Sequence, residues 1–144
     1  MKPYLLDTNV LLALAWPNHV LHQDAVDWFV KKGGAGFRTC PITQTGFVRI
    51  SSNPAFTRSA VTPAEAFALL DRITKLPGHD FWPDDLALGR VFESSSLIAG
   101  HRQVTDAYLL VLAAEKGGVM ATLDEGVRYL AAENPDCVEV VLRR

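Results

Sequence analysis

At 144 residues the chain is long enough for one domain with a real hydrophobic core, without disulfides or a structural metal. Its 49% hydrophobic and 21% charged residues exclude global disorder. The 14 basic residues set against 16 acidic ones exclude nucleic-acid binding by bulk electrostatics, though not through a local basic rim or bound cations. Cys40 and Cys137 have no CxxC partners and fit two reduced, packed thiols better than a disulfide or zinc framework. No charged-then-apolar leader opens the chain and no apolar run approaches the ~20 residues of a membrane span, so the expectation is a soluble, cytoplasmic protein with no membrane association.

Taken in chain order, the predicted elements alternate. Residues 3–7 are predicted as a strand: Tyr4-Leu5-Leu6 is an apolar run that ends at Asp7-Thr8-Asn9, after which apolar residues resume at helical spacing. The helix that follows runs through Leu14, where Pro17 and Asn18 interrupt it. Residues 22–32 carry Ala25, Val26, Phe29 and Val30 as a helical stripe, with Lys31 and Lys32 where cations suit the helix dipole, and Gly33, Gly34 and Gly36 close it. Phe37 to Cys40 are predicted as a strand, and Pro41 opens a helix through about Ser51 that Ser52-Asn53-Pro54 breaks. Thr62-Pro63-Ala64-Glu65 reads as a helix start, with Thr as N-cap, Pro first and Glu third, and Pro77-Gly78 stops that helix. His79 to Trp82 are predicted as a strand with Phe81 and Trp82 in the core, and Pro83-Asp84-Asp85 as the acidic start of another helix. Asp106 to Lys116 form the most apolar helix, ended by Gly117-Gly118. Val119 to Thr122, a short helix over 125–132 and a last strand from Val138 to Leu142 complete the chain. This alternation implies a single three-layer α/β/α domain over 1–144 with a mainly parallel central sheet of four to five strands.

Carboxylates recur where these elements meet turns. Asp7 falls at the carboxyl end of the first strand, where open α/β sheets place their ligands. Asp106 follows Thr105, and Asp124 follows Thr122-Leu123, at similar boundaries. Each has a structural explanation, because Asp and Thr are preferred N-caps: Asp124 can cap the helix after it, and Asp106 can sit in a first turn capped by Thr105. Their joint pattern points instead to an acidic pocket. Hard divalent cations take such oxygens, and a bound cation points to phosphoryl chemistry. Covalent catalysis has no support, since there is no GxSxG and neither Cys has a suggestive His. Gly33-Gly34-Ala35-Gly36 follows a helix and precedes a strand, the reverse of a phosphate-binding loop, and reads as a turn. His19 and His22 lack further ligands at metal spacing and read as surface or capping residues.

Four segments carry a resemblance: Leu5 to Val10 (Leu-Leu-Asp-Thr-Asn-Val), Gly46 to Pro54 (Gly-Phe-Val-Arg-Ile-Ser-Ser-Asn-Pro), His101 to Leu109, and Ala121 to Val127. In that order and over essentially the whole chain, they resemble PIN-domain proteins, and specifically the VapC toxins of bacterial toxin–antitoxin pairs. The resemblance implies a metal-dependent endoribonuclease in which Asp7, Asp106 and Asp124 line a pocket for Mg²⁺ or Mn²⁺. It places Thr8, Asn9, Thr105 and Thr122 around those carboxylates as supporting residues. It further implies hydrolysis of an RNA phosphodiester (transfer or ribosomal RNA) without a covalent enzyme intermediate, a homodimer, and a cognate VapB-like antitoxin that can push an Arg or Lys into the pocket.

The sequence departs from the family pattern at one place. Many members carry a fourth acid, a Glu, in the helix before Arg49-Ile50-Ser51, and counting back from Arg49 puts it at Gly46. Gln44 offers only a neutral oxygen nearby, and Glu115, nine residues after Asp106, falls on the opposite helix face. This motivates an alternative, a catalytically weak or inactive PIN module that binds RNA or a protein partner. An aspartyl-phosphate fold fits less well, since a phosphatase of that kind needs a second Asp where Asn9 stands. His101, Arg102, Arg49, Arg58 and Lys75 are candidate contacts to RNA phosphates, although scattered basic residues are mostly solvated surface.

Overall fold

A computed structural model describes residues 1–94 and 97–141. At its centre is β1 (Tyr4–Leu6), flanked by β2 (Phe37–Thr39) on one side and β4 (Val119–Thr122) on the other. β3 (His79–Phe81) and β5 (Val138–Val140) form the edges of a five-stranded sheet in the order β3-β2-β1-β4-β5, every pair parallel. The chain builds outward from β1 through β2 to β3, then crosses back to lay β4 against the free side of β1. The strand order therefore reverses between β1 and β4. At such a reversal the connections leaving two neighbouring strands diverge to opposite faces and open a crevice at their carboxyl ends.

Seven helices cover the two faces among the described residues: α1 (Thr8–Ala15), α2 (His22–Lys31), α3 (Pro41–Ser51), α4 (Pro63–Thr74), α5 (Leu88–Ser94), α6 (Val104–Glu115) and α7 (Gly126–Leu130). Alternation along the strands sorts the core into two clusters. Leu5 and Met120 face α6 with Trp82, Leu109, Leu112 and Val127, while Leu6 and Ala121 face the α1, α3 and α4 side with Val10, Leu11, Phe37 and Phe47. The run Ala107–Ala113 is buried without interruption, as its apolar sequence predicts. Truncating Leu109 or Leu112 to Ala there would cost about 2–5 kcal/mol. A Schellman motif ends this helix: Gly118 N donates to Ala113 O (2.8 Å) and Gly117 N to Ala114 O (3.2 Å), with Gly117 at φ +73°. The capping box at Thr62 also forms, Thr62 Oγ1 accepting from Glu65 N at 3.2 Å and Glu65 Oε1 from Thr62 N at 3.4 Å.

Several elements differ from their predicted form. Pro83-Asp84-Asp85 does not open a helix; residues 82–87 form no regular element before α5 begins at Leu88. Both carboxylates are used elsewhere, Asp84 accepting from Ile42 N at 3.1 Å in the first turn of α3 and Asp85 pairing with Lys116 at 3.0 Å. Phe81 is half exposed because β3 is an edge strand, whereas Trp82 is buried against Arg38 as expected. Thr105 does not cap α6, which starts one residue earlier, after a 3₁₀ turn over His101–Gln103. The last strand ends at Val140, and Leu142 lies outside the described residues. His19 and His22 serve the local backbone, His19 Nδ1 accepting from Leu21 N and His22 Nδ1 meeting Ala13 O. Cys40 and Cys137 are free, buried thiols.

α1 and α3 cross at Gly46, which is buried: a Cβ built there would lie 2.8 Å from Thr8 Oγ1 and 3.0 Å from Thr8 Cγ2. Thr8 is β-branched and stiff within its helix, so it cannot swing aside cheaply. Gly46→Ala should therefore destabilise by about 1–3 kcal/mol despite the higher helix propensity of Ala. Thermal unfolding followed by circular dichroism should show a lower Tm for Gly46→Ala and its recovery in Thr8→Ala/Gly46→Ala. Equal losses in the single and double variants would show that this contact does not set the helix spacing.

Candidate functional site

The crevice between β1 and β4 gathers the acidic residues. Asp7 directly follows β1 and is the N-cap of α1, its Oδ1 accepting from Thr8 N at 2.7 Å. Its Oδ2 accepts from the Thr122 hydroxyl at 2.8 Å, across the junction to the last residue of β4. That hydroxyl is a hub. It donates to Asp7 and accepts from Asn9 Nδ2 (3.3 Å) and Asp124 N (3.1 Å), which uses its hydrogen and both lone pairs. Asn9 Oδ1 in turn accepts from Leu123 N at 3.1 Å, fastening the first turn of α1 to the loop after β4. Asp124, one residue before the N-cap Glu125, accepts at Oδ1 from Gly126 N, the first residue of α7, at 2.8 Å. Asp106 arrives from the first turn of α6, and no hydrogen-bond donor among the described residues reaches its carboxylate.

The three carboxylates are near enough for their charges to act on one another. Burial pushes the Asp7 carboxyl above the ordinary carboxylate range; the hydrogen bonds from Thr122 and Thr8 oppose this, and the charge of Asp124 adds to it. Asp106 is pushed up to about 6, first by burial and then by the charges of Asp7 and Asp124. None of the three is ion-paired with a basic side chain among the described residues; the acids that are so paired include Asp71, Asp85, Glu115 and Glu139. The fold thus holds mutually repelling carboxylates near one another with no counter-charge among the described residues.

The supporting residues divide. Thr122 and Asn9 bind within the site, and Thr8 contributes its backbone N–H while its side chain packs on Gly46. Gln44 turns toward β2, its Nε2 donating to Thr39 Oγ1 at 2.9 Å, and that hydroxyl lies 2.7 Å from His79 Nε2. Thr105 is exposed in the first turn of α6, with no hydrogen-bond partner among the described residues. The place of the expected fourth acid at Gly46 is filled by Thr8, a packing relation that two positions so far apart in sequence do not reveal. The Thr39–His79–Gln44 chain and the Asp84 contact to α3 were likewise missed, and only β2–β3 pairing and the α5 boundary would have exposed them.

Chemically, the donor set is all oxygen and net negative, as Mg²⁺ or Mn²⁺ requires. Among the described residues no three His, Cys, Asp or Glu side chains close tightly enough to hold an ion by themselves. Asp106, raised by burial and then by the charges of Asp7 and Asp124, has no hydrogen-bond donor among the described residues to offset that cost.

Comparison with known proteins places this geometry. A family model described as the PIN domain matches residues 4–133. Ribonuclease VapC39 of Mycobacterium tuberculosis is 48% identical over 122 residues, covering 83% of this chain and 87% of its own length. Ribonuclease VapC38 of the same organism is 44% identical over 131 residues, covering 91% and 92%. Among solved structures, that of FitAB bound to a DNA fragment superposes with a TM-score of 0.64 at 18% identity over 98% of each chain. M. tuberculosis VapC20, a sarcin–ricin-loop-cleaving toxin, does so with a TM-score of 0.61 at 15% identity, covering 90% of this chain and 94% of its own. With a family model that spans both β1 and the β4–α7 turn, and relatives nearly half identical over most of their length, the chain belongs to the PIN-domain family, among the VapC ribonucleases.

Proposed function

We propose that the chain is a divalent-metal-dependent endoribonuclease toxin, acting as one PIN domain over 1–144 and neutralised by a cognate VapB-like antitoxin. The observation that carries the reading is the convergence of Asp7, Asp106 and Asp124 at the β1/β4 crevice with no basic partner among the described residues. Asp7 and Asp106 are the main ligands for Mg²⁺ or Mn²⁺, and Asp124 holds a second ion or a water. When bound, the cation lowers the pKa of a water and offsets the charge that builds on the phosphodiester. The chain's own part is placement. Thr122 and Thr8 fix both oxygens of Asp7, and Asn9 keeps the turn after β4 from drifting away from α1. The same unpaired carboxylates can receive an Arg or Lys from the antitoxin, which would neutralise them as the metal does.

Transfer or ribosomal RNA is the proposed substrate class, and a homodimer in the cytoplasm the working state. Exposed apolar residues such as Leu88 and Phe92 on α5 give a homodimer something to cover. No helix among the described residues is long and apolar enough to cross a membrane. The alternative, a weak or inactive RNA- or protein-binding module, is motivated by the absent acid at Gly46 and by the engagement of Gln44 with Thr39.

Incubating antitoxin-free protein with total RNA and Mg²⁺ or Mn²⁺, then sequencing the new ends, separates the two readings. Discrete cuts are expected that vanish with EDTA and fall by roughly 10³-fold or more in Asp7→Asn and Asp106→Asn. Folded, metal-loaded protein that cuts nothing would leave the binding module.

Protons compete with the cation at Asp106, which titrates near pH 6 in the metal-free protein. Mn²⁺ affinity, measured by calorimetry, should be highest above pH 7 and fall up to about tenfold per unit as the pH drops below 6. A pH-independent affinity would remove Asp106 from the ligand set.

Linkage predicts a matching stability effect. Asp106 is raised above its ordinary 3.8 by folding, so its contribution to stability is fully present below about pH 4 and is lost as pH rises through about 6. In metal-free protein at pH 7.5, Asp106→Asn should raise Tm by a few degrees, about 1 kcal/mol once partial exposure is allowed for, and at pH 4 it should not. A lower Tm at pH 7.5 would mean that Asp106 is structurally required.

A further inference from the structure

We infer that the groove between α3 and α4 is a nucleotide subsite that holds single-stranded RNA beside the scissile phosphodiester, an inference that rests on the ribonuclease reading. The groove has a volume of about 430 Å³ and is lined on one side by Gln44, Thr45, Arg49 and Ser52 of α3 and on the other by Phe67 and Leu70 of α4. The α3 residues recur at helical spacing and so share one face.

Three observations give this face its occupant. Phe67 is 60% exposed, a flat ring left open to solvent where a base can stack. The Arg49 guanidinium is exposed and paired with no carboxylate among the described residues, and no acid lines the groove. A cation at the carboxylates engages only the scissile phosphate, and Arg49 offers a charge for a neighbouring phosphate of the same strand. The groove also opens at the same edge of the sheet as the acidic residues. α3 follows the carboxyl end of β2, the strand parallel to and next to β1, and its first residue, Pro41, lines the groove. A strand whose phosphodiester sits at the carboxylates can run from there along α3 past Thr45, whose hydroxyl is open to a base edge, to Arg49 and Phe67.

The test uses the full chain carrying Asp106→Asn, to prevent cleavage, and a fluorescein-labelled single-stranded oligoribonucleotide followed by anisotropy. Adding Phe67→Ala or Arg49→Gln should weaken binding about tenfold. Arg49→Gln should also lower the salt dependence of log Kd by about 0.7. Phe67→Trp should retain binding, and Lys31→Gln, exposed on α2 outside the groove, should change neither quantity. Both Phe67 and Arg49 are exposed, so circular dichroism should show the variants folded. Unchanged affinity in both groove variants would overturn the assignment and leave the groove to a protein partner, while cleavage by the parent chain still upheld the ribonuclease reading. A parent chain that neither binds nor cuts RNA would overturn both.

Discussion

Burying one carboxylate at the junction of two parallel strands is the constraint around which the rest of this molecule is arranged. Asp7 is only 8% exposed, and an anion removed from water is costly unless its oxygens find donors. One donor is free at the start of any helix, and α1 supplies it through Thr8 N. The second has to come from another strand. It does so because the sheet order places β4, ending in Thr122, beside β1. Topology therefore precedes the site: without the crossover from β3 back to β4, Thr122 would not reach Asp7, and the loop carrying Asp124 would not lie against α1.

Holding a helix start does not withdraw a carboxylate's charge from its neighbours. Asp7 gives one oxygen to its helix and the other to Thr122, and Asp124 accepts from Gly126 N at the start of α7 while its charge still raises Asp7 and Asp106. A preference for Asp at N-caps is thus no argument against a shared pocket. Helix N-termini also bring partial positive charge to that pocket, which eases the crowding of anions without neutralising it. Asp106 lies in the first turn of α6, yet burial and the charges of Asp7 and Asp124 still raise it to about 6.

Where local chemistry decided the outcome, the sequence was legible. The Thr62 capping box, the Gly117-Gly118 stop, the buried run of α6 and the carboxylates at strand ends all rest on residues close in the chain. Legibility failed where a distant partner intervened. Pro83-Asp84-Asp85 has every local mark of a helix start, yet Asp84 serves the N-terminus of α3 and Asp85 serves Lys116, and the segment forms no helix. Phe81 has the look of a core residue but sits on an edge strand, and nothing in its neighbours tells which strand will be the edge. Gly46 reads as a lost acid in sequence and as a packing contact in three dimensions.

That contact bears on how the missing charge is tolerated. A Glu at Gly46 would need its Cβ where the Thr8 side chain now lies, so the glycine and the threonine form a matched pair, and neither could change alone without strain. The glycine lets α1 and α3 pack closely at this point, and it carries no charge beside Asp7. Fewer carboxylates mean weaker attraction for a divalent cation, but also less repulsion within a pocket that already lacks a counter-charge among the described residues. On the proposed reading, the glycine leaves a site with one charge less to repel Asp7 and Asp106 and one charge less to hold a divalent cation.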